Sequence, residues 1–366
     1  MKRLFKSISF FITLVSAILL LVSVVPVYLS PGKIYILALL GFLFPALWLF
    51  NLLILGVHVV RKSFYFFIPL LVLVLTWNHW ENVFQVKGKS LSQENQNTIK
   101  VMTFNVRMFD FYRFSQLPDM PFLFYDFIGK ANPDILCVQE FFTSKRKDGY
   151  DPNFVRVRLG QFDYAHVEYR DYSGQNIGYG IATFSKYPII NKGKLNFSES
   201  KNMAIFSDIN IDGKVVRVFN NHLESIGFQS QDFNVIDSLT IELGPRQKDG
   251  LKEIVRKMVR AFKQRSSQAE RISNHVTNSP YPVIVCGDFN DTPISYVYRK
   301  MRGNLKDAFR ESGTGFGGTY NGRLPSLRID YIFHDQEFES YGFEKYRIDF
   351  SDHFPISTLL ILDPKK

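Results

Sequence analysis

Two polar side chains close a short apolar run of the sequence. Residues 283–286 are Val-Ile-Val-Cys, and they run directly into Gly-Asp-Phe-Asn at 287–290. An apolar run of this length predicts a buried strand, and its polar end predicts the rim of a site. Because side chains two apart in a strand point to one face, Asp288 and Asn290 would lie side by side. A carboxylate and a carboxamide so placed could hold a water molecule and a phosphoryl oxygen. An Asx-rich turn that only closes a strand is the alternative.

Six further polar residues lie at or beside the ends of predicted strands. They are Asn105, Glu140, His222, Asp330, Asp352 and His353. Strand ends on one edge of layered sheets converge in space, so we expect these residues to form one site with Asp288 and Asn290. Their hard oxygen ligands suit Mg²⁺, with Mn²⁺ as a second choice, and no cluster in the sequence suits structural zinc. The two histidines could contact a phosphoryl group or transfer a proton, and Asp330 could orient one of them.

The elements that would position these residues alternate between strand and helix from residue 99 onward. Strands are predicted at residues 99–106, 135–140, 180–184, 204–211, 215–220, 283–290 and 327–334, and from residue 356. Helices are predicted at residues 121–131, 246–278 and 295–301. This alternation is typical of an α/β layered domain. Residues 141–179 and 223–245 fit neither pattern, and we expect them to determine substrate specificity.

Two other chemistries have weaker support in the sequence. A Ser-His-Asp hydrolase would need a Gly-x-Ser-x-Gly turn, and the chain has none. The Gly-rich residues 313–318 lack the Gly-Lys-Ser/Thr of a phosphate-binding loop, so they receive no nucleotide role.

The first 80 residues have a different composition from the rest. Residues 7–32, 34–60 and 63–80 carry no charge. Stretches of this length without a polar face predict membrane spans, at about 8–30, 34–60 and 64–80. The apolar run is too long for a cleavable signal peptide, and more runs follow it. The predicted organisation is a transmembrane region at 1–80, a linker at 81–98 and one folded domain at 99–366.

The distribution of basic residues predicts the orientation of these spans. Lys2, Arg3 and Lys6 precede the first span, and Arg61 and Lys62 lie between the second and third. The positive-inside rule places both groups in the cytoplasm. An integral, multi-pass protein with three spans would then carry its folded domain outside the cytoplasm, on the periplasmic side. The orientation of that domain reverses if the third stretch only lies in the membrane interface.

The net charge of +10 does not by itself indicate a nucleic-acid surface. Residues 1–90 hold eight Lys and Arg against Glu81, a net +7, which leaves +3 for the remainder. A broad electrostatic footprint for DNA is therefore not evident. The two cysteines, Cys137 and Cys286, lie in apolar strand-like runs, which predicts buried free thiols; a disulfide stays open.

The order of the motifs resembles the endonuclease/exonuclease/phosphatase superfamily, which includes pancreatic-type deoxyribonucleases, abasic-site endonucleases, neutral sphingomyelinases and inositol polyphosphate 5-phosphatases. The resemblance covers residues 99–364 and would make this a membrane-anchored, bacterial-type member. It rests on Phe104-Asn105, Gln139-Glu140, Asn220-Asn221-His222-Leu223, Gly287-Asp288-Phe289-Asn290, Arg328-Ile329-Asp330-Tyr331-Ile332 and Ser351-Asp352-His353-Phe354-Pro355. The implied fold is a four-layered α/β sandwich of two mixed sheets flanked by helices.

The resemblance also implies a role for each site residue. Glu140 would be the principal Mg²⁺ ligand, helped by Asn105 and Asp352. Asp288 would orient or deprotonate the attacking water. The remaining roles are phosphoryl contact for Asn290 and His222, phosphate contact or proton transfer for His353 held by Asp330, and a weaker candidate phosphate contact for Lys186.

The implied activity is hydrolysis of a phosphate ester, and the family divides by substrate. A phosphodiester in a nucleic acid or a phospholipid head group is expected, with the lipid bilayer as the second partner and no protein partner predicted. Two alternatives stay open. One is a membrane-anchored binding or scaffolding module that uses the fold without turnover, and the other is a sugar- or inositol-phosphate phosphatase.

Overall fold

The structure, a computed structural model of the chain, describes residues 2–32, 34–91, 98–110, 120–144, 152–171, 177–197, 200–238, 244–323 and 325–362. The chain divides into two compact units. The first consists of Met1–Trp80, Glu224–Ala269 and Ile294–Arg299. The second consists of Glu81–Leu223, Glu270–Pro293 and Lys300–Lys366.

The N-terminal part of the first unit is helical. Its helices are α1 (Lys2–Val24), α2 (Tyr35–Gly41), α3 (Phe44–Val60) and α4 (Phe67–Trp80). Among the described residues, one helix is long and apolar enough to cross a membrane, over Lys6–Val27 with a mean hydropathy of 2.8. The predicted span at 34–60 is not one helix, because the chain leaves α2 at Phe42 and enters α3 with Pro45 in the first turn. The segments Phe44–Val60 and Phe64–Trp80 are apolar but shorter.

Aromatic and polar contacts hold these helices together. Trp48 in α3 stacks on Trp80 in α4 with ring centroids 4.0 Å apart. The Nδ2 of Asn51, which is fully buried, donates to the carbonyl oxygen of Ser16 in α1 at 3.2 Å. This hydrogen bond gives a buried amide N–H an acceptor on the neighbouring helix, which removes the cost of leaving it unpaired.

The second unit contains the strands. Their bounds are β1 (Phe84–Gln85), β2 (Thr98–Asn105), β3 (Ile135–Ser144), β4 (Tyr164–Asp171), β5 (Ile177–Ser185), β6 (Ile189–Asn196), β7 (Met203–Ile211), β8 (Lys214–His222), β9 (Val283–Asp288), β10 (Lys306–Asp307), β11 (Gly315–Phe316), β12 (Asp330–His334), β13 (Phe338–Lys345) and β14 (Ile356–Leu362). The remaining helices of the chain are α5 (Met120–Ala131), α6 (Pro152–Leu159), α7 (Ser230–Asp237), α8 (Pro245–Thr277), α9 (Tyr296–Arg302) and α10 (Ala308–Ser312).

Two six-stranded mixed sheets form the body of this unit. The first has the order β13-β14-β2-β3-β5-β4 and the second β10-β12-β9-β8-β7-β6. The pairs β2–β3 and β8–β9 are parallel, and the other pairs within these sheets are antiparallel. The β7–β8 hairpin turns at Asp212 and Gly213, both with positive φ, as a two-residue hairpin turn requires.

The core lies on both faces of the first sheet. Aliphatic side chains such as Val101 of the first sheet and Val218 and Ile284 of the second pack in one buried cluster. On the opposite face, Phe104 and Phe184 pack with residues of α5 and α6 in an aromatic cluster. Two mixed sheets with flanking helices confirm this part of the predicted fold. Cys137 and Cys286 are both buried and free.

Each predicted strand and helix of this domain has a counterpart in the structure, although the strand predicted at 327–334 begins only at Asp330, and several elements were missed. The missed strands β6 and β13 lie beside a single partner strand, and much of their length is exposed or half-buried. Such strands lack the apolar run or strict alternation that a sequence pattern detects. The unassigned residues 141–179 contain α6, β4 and the start of β5, and 223–245 contain α7; residues 145–151, 172–176 and 239–243 lie outside the described part.

Residues 81–91, within the predicted linker, contact the rest of the second unit. Glu81 accepts from Arg310 at 2.6 Å, and Lys89 donates to Glu339 at 3.0 Å. β1 pairs antiparallel with β11, and the backbone N–H of Gly342 donates to the carbonyl oxygen of Lys89 at 2.7 Å. Residues 92–97 lie outside the described part of the chain.

Candidate active site

A row of three polar side chains crosses the second sheet at the ends of its central strands. His222 of β8 is the register partner of Asp288 in β9, and Asp288 is in turn the partner of Asp330 in β12. Residues in register on neighbouring strands point to the same face of a sheet. The exposed fractions are 6% for His222, 1% for Asp288 and 2% for Asp330, so the row lies at the floor of the site.

The backbone at the end of β9 is unusually close to β8. Gly287 has a φ of +134°, and a Cβ at this position would collide with the backbone carbonyl oxygen of Asn221. Only glycine allows both this conformation and this approach. The close approach allows the N–H of Leu223 to donate to the carbonyl oxygen of Asp288 at 3.0 Å, which fixes the end of the strand pair.

Asn290 positions the Asp288 carboxylate. Its backbone N–H donates to Oδ1 of Asp288 at 2.8 Å, and its Nδ2 donates to Oδ2 of Asp288 at 3.2 Å and to the carbonyl oxygen of Leu223 at 3.0 Å. Asn290 itself has a φ of 53°, a left-handed conformation that asparagine tolerates better than most residues. The side chains of Asp288 and Asn290 therefore lie together, but through an Asx turn after β9 rather than through the alternation of a strand, because β9 ends at Asp288.

The first sheet contributes Asn105 and Glu140 from two parallel strands. Asn105 ends β2 and is 1% exposed. Glu140 lies in β3 at an irregularity between Gln139 and Phe141, with a φ of 50°. A bulge adds a residue to one strand and turns its side chain away from the regular direction, which is common beside active sites.

Asn105 joins the two sheets. Its Nδ2 donates to Oδ2 of Asp288 at 3.0 Å and to Oε1 of Glu140 at 3.3 Å, while its Oδ1 accepts from the backbone N–H of Arg107 at 3.0 Å. The amide nitrogen thus partly neutralises two carboxylates from different sheets. Oδ2 of Asp288 also lies 3.8 Å from the Nε2 atoms of both His222 and His353.

His353 and Asp330 form a buried pair. The Nδ1 of His353 lies 2.9 Å from Oδ2 of Asp330, and its backbone N–H donates to Ser351 Oγ. The ring of Tyr320 packs edge-on against His353, with centroids 5.8 Å apart. The neighbouring Asp352 is further from the floor, with its side chain 24% exposed, and its Oδ2 lies 3.5 Å from Nε of Arg107.

Two carboxyl groups of the site, those of Asp288 and Glu140, have a raised pKa. Burial and the neighbouring charge of Asp330 raise the pKa of Asp288 to about 6, although His353 acts in the opposite direction. Burial, followed by the charge of Asp352, raises the pKa of Glu140. Like charges in a desolvated site disfavour the charged form of each carboxyl group. A cation would relieve this repulsion.

The two histidines are held in different states. Burial lowers the pKa of His222, and its Nε2 is buried without a hydrogen-bond partner among the described residues. Burial acts on His353 as well, but the surrounding carboxylates of Asp330 and Asp288 hold its pKa well above the ordinary value. One imidazole is therefore neutral and the other is cationic.

The residues present fit a divalent cation. Four carboxylates and two carboxamides lie within or beside this floor, and hard oxygen donors are what Mg²⁺ and Mn²⁺ prefer. Ligand atoms of Asp288, Asp330 and His353 all lie within 4.8 Å of one another, which is also close enough for a metal ion. The Nε2 of His222 lies 3.7 Å from Oε1 of Glu140 and is a further buried polar atom without a hydrogen-bond partner among the described residues.

Three residues named in the sequence analysis have their contacts away from the floor of the site. Lys186 lies at the opposite end of β3, where its Nζ donates to Asp134 and Asn132 at 2.9 Å, so a phosphate contact from Lys186 is wrong. Arg328 pairs with Asp307 rather than with Asp330. Asn220 is fully buried and donates to the carbonyl oxygen of Ala182, which favours a structural role.

Several residues around the site have no clear signal in the sequence. Gln139 is fully buried and donates to Oδ1 of Asn220 at 2.7 Å, which connects the two sheets below the site. Arg107 was detectable only by its position two residues after Asn105, and Tyr320 only by its Gly-rich surroundings. The hydrogen bond between Gln139 and Asn220 joins residues far apart in sequence, so it forms only in the folded sheets and leaves no local sequence signal.

A family model matches more than half of the chain. The model of the Endonuclease/Exonuclease/phosphatase family matches residues 102–353, which include all eight site residues. The chain belongs to this family, whose homologues are hydrolases that act on phosphoester bonds. Residues 3–83 match a second family model, described only as a domain of unknown function. No curated protein matches the sequence.

Solved structures show the same fold at low sequence identity. An endonuclease/exonuclease/phosphatase from Beutenbergia cavernae DSM 12333 is 17% identical, with a TM-score of 0.53 over 73% of this chain and 72% of its own. The human Nocturnin catalytic domain with bound sulfate is also 17% identical, with a TM-score of 0.50 over 73% of this chain and 94% of its own. These similarities support the fold alone.

Proposed function

We propose that the protein is a membrane-tethered, divalent-metal-dependent phosphoesterase. Its substrate would be a phosphodiester, in a nucleic acid or a phospholipid head group, cleaved by in-line attack of water. The observation that carries the proposal is the meeting of Asn105 and Glu140 from one sheet with His222, Asp288 and Asp330 from the other. Family membership supports the reaction class.

Glu140 would hold the metal together with Asn105 and Asp352. When bound, Mg²⁺ or Mn²⁺ would neutralise the negative charge that develops on the phosphoryl oxygens. Asn105 would have to turn its amide so that Oδ1 replaces Nδ2 beside the two carboxylates, a half-turn about one bond. We prefer this set to Asp288, Asp330 and His353 because Nδ1 of His353 already lies against Asp330.

Asp288 would orient the attacking water and accept its proton. Its Oδ1 is held by the backbone N–H of Asn290, so the carboxylate is fixed before substrate arrives. The second carboxylate oxygen faces His222 and His353, where a water between these groups would be within reach. Fixed geometry of this kind lowers the cost of reaching an in-line arrangement.

His222, His353 and Asn290 would contact the phosphoryl group. His353 carries a positive charge and is oriented by Asp330, so it can bind a phosphoryl oxygen or donate a proton at Nε2. Neutral His222 can donate one hydrogen bond in its Nε2-protonated tautomer. Asn290 would exchange its hydrogen bond to Asp288 for one to substrate.

The apolar N-terminal helices would tether the enzyme to the bilayer. The support is the length and hydropathy of Lys6–Val27, together with the two shorter apolar helices. With three passes and the basic residues on the cytoplasmic side, the catalytic domain would face the periplasm.

A substitution at Asp288 tests the catalytic proposal. The full-length protein in detergent would be assayed with Mg²⁺, with Mn²⁺ and with chelator, against DNA, RNA, phospholipids and a generic phosphodiester. We expect Asp288→Asn to lower kcat by about 10²–10⁴-fold, because it removes a positioned proton acceptor. The matched control is Asp212→Asn, since Asp212 is exposed at a hairpin turn and asparagine tolerates its positive φ.

Each other outcome contradicts a named part of the proposal. Activity that survives chelation would exclude a requirement for metal. Activity that survives Asp288→Asn would exclude the proposed catalytic role of Asp288. A folded protein that binds metal and hydrolyses none of the substrates would favour a binding or scaffolding module. A preference for phosphomonoesters would favour a phosphatase.

A further inference from the structure

A cavity in the helical part of the first unit lies outside the catalytic machinery. Its volume is about 450 Å³, and it is formed by the start of α1 and by the end of α3 with the turn that follows. The residues that line it include Lys6, Ser9, His58, Arg61, Lys62 and Tyr65. We refer to it as the basic cavity.

The charge that lines the basic cavity is positive. Three cations (Lys6, Arg61 and Lys62) line it, and residues 1–80 contain neither Asp nor Glu. All three side chains are exposed, so each is accessible to a ligand. Three like charges around one cavity repel one another, and an anion between them would reduce the repulsion.

The wall of the basic cavity is fixed by hydrogen bonds. His58 is 3% exposed, and its Nε2 lies 2.8 Å from Thr13 Oγ1, which itself donates to the carbonyl oxygen of Ser9 at 2.8 Å. The ring of Tyr65 meets the ring of His58 edge-on at 5.9 Å, and the N–H of Ser63 donates to the carbonyl oxygen of His58 at 2.9 Å. The cavity is therefore preformed rather than a group of loose surface lysines.

Exposed apolar side chains lie beside these charges in the sequence and at the same helix end. Val60 is 83% exposed and Phe64 is 79% exposed, and Phe64 also lines the cavity. A soluble anion needs no apolar surroundings, whereas a lipid brings acyl chains with its phosphate. Basic pockets between membrane helices are suited to anionic lipid head groups.

We propose that the basic cavity binds the phosphate of an anionic phospholipid. Arg61 can bind two phosphate oxygens with its planar guanidinium, while Lys6 and Lys62 act as point charges. This inference rests on the membrane insertion within the proposed function, and it is independent of the catalytic roles. The bound lipid would be a ligand of the membrane region and not the substrate.

Native mass spectrometry of the full-length protein in a neutral detergent tests the proposal. Chelator would be present so that no lipid is consumed, and the probes are dioctanoyl phosphatidylglycerol, dioctanoyl phosphatidylcholine and inorganic phosphate. The test variant is Arg61→Gln with Lys62→Gln. The matched control is Arg256→Gln with Lys252→Gln, which removes two exposed cations of the same unit that lie outside the cavity.

We expect phosphatidylglycerol to bind more tightly than phosphatidylcholine, and inorganic phosphate not to displace it. Loss of two cations should weaken phosphatidylglycerol binding on the order of 30-fold, since each is worth about 1 kcal/mol near an anionic lipid. The control variant should bind as the unsubstituted protein does. Should the double variant fail to fold, the single substitutions give the same comparison, and the charge-preserving Arg61→Lys with Lys62→Arg should retain phosphatidylglycerol binding.

Equal binding of phosphatidylglycerol by the test and control variants would overturn the proposal, as would equal binding of the two lipids. Displacement by inorganic phosphate would assign the cavity to free phosphate instead. Resistance to alkaline extraction from membranes is measured separately. A protein that stays in the membrane and hydrolyses phosphodiesters, yet fails these binding tests, would lose this inference and keep the proposed function.

Discussion

Asn105 is the residue on which the two sheets meet within the site. It is almost fully buried, and its single amide group satisfies a carboxylate from each sheet. A buried charge without such a partner costs several kcal/mol, so the two carboxylates depend on this amide for a hydrogen bond. The floor of the site is thus arranged for binding rather than for stability.

The first prediction at this scale concerns Glu140→Gln. The substitution removes a charge that repels Asp352 while it keeps the shape and the oxygen that accepts from Asn105. We expect the metal-free protein to gain about 1 kcal/mol, a rise in Tm of roughly 2–4 °C, while activity falls. Differential scanning calorimetry in chelator, paired with the phosphodiester assay, measures both effects.

The comparison is Glu339→Gln, which removes an exposed carboxylate that pairs with Lys89. It should leave activity unchanged, and Tm should not rise, because an exposed ion pair contributes little. A Glu140→Gln protein that is less stable than the unsubstituted chain in chelator would contradict the prediction. Repulsion between Glu140 and Asp352 would then not limit the stability of the metal-free protein.

Among the elements, the parallel pair β8–β9 sets the geometry of the site. The pair is close at Asn221 and Gly287, and it carries His222 and Asp288 in register. The apolar pattern of both strands predicted their existence from sequence alone. It gave no information on their register or on the need for glycine, since these depend on contacts between distant segments.

Gly287→Ala tests this close approach. A methyl group would collide with the backbone of Asn221, and the φ of +134° is unfavourable for alanine. We expect a loss of about 2–4 kcal/mol in the free energy of unfolding and a fall in kcat larger than any change in KM. Denaturant unfolding and steady-state kinetics provide the two measurements.

Gly213→Ala is the matched control, because Gly213 also has a positive φ but its Cβ would meet no atom within 4 Å. It should cost only the backbone strain of about 1 kcal/mol and leave kcat intact. Equal effects of the two substitutions would mean that the contact with Asn221 does not cause the loss of stability and of kcat.

Other elements mark the limit of what the sequence predicts. The polar residues at strand ends identified a common site because parallel and antiparallel strands bring those ends together. The bulge that turns Glu140 and the pairing of Arg107 with Asp352 follow from tertiary packing, for which the local sequence has no periodic signal. The prediction for Lys186 was wrong because β5 runs antiparallel to β3. Lys186 follows β5 and therefore lies at the opposite end of β3 from Glu140.

At the scale of the whole molecule, residues 81–91 belong to the second unit and contact it at several points. The backbone pairing of β1 with β11, the ion pair of Glu81 with Arg310 and the hydrogen bond to Lys89 all lie within this unit. The polar composition of the segment predicted a linker. A strand of two residues, such as β1, is too short to produce a hydrophobic pattern in the sequence. The domain start at residue 99 stays a prediction.

Two fragments test that domain start. We expect a fragment that begins at Glu81 to be more stable than one that begins at Ile99, by about 2 kcal/mol. Several backbone hydrogen bonds of about 1 kcal/mol each are lost with the segment, and the partly exposed ion pair adds little. Urea unfolding of both fragments gives the difference, and equal midpoints would confirm residue 99 as a sufficient start.

The register of β8, β9 and β12 has a consequence for the evolution of the gene. His222, Asp288 and Asp330 share one face only because the three strands pair without a shift. Insertion or deletion of a single codon within any of these strands would turn the following side chains to the other face. Lineages of this gene should therefore vary in length at turns such as Asp212-Gly213 and hardly at all inside these three strands.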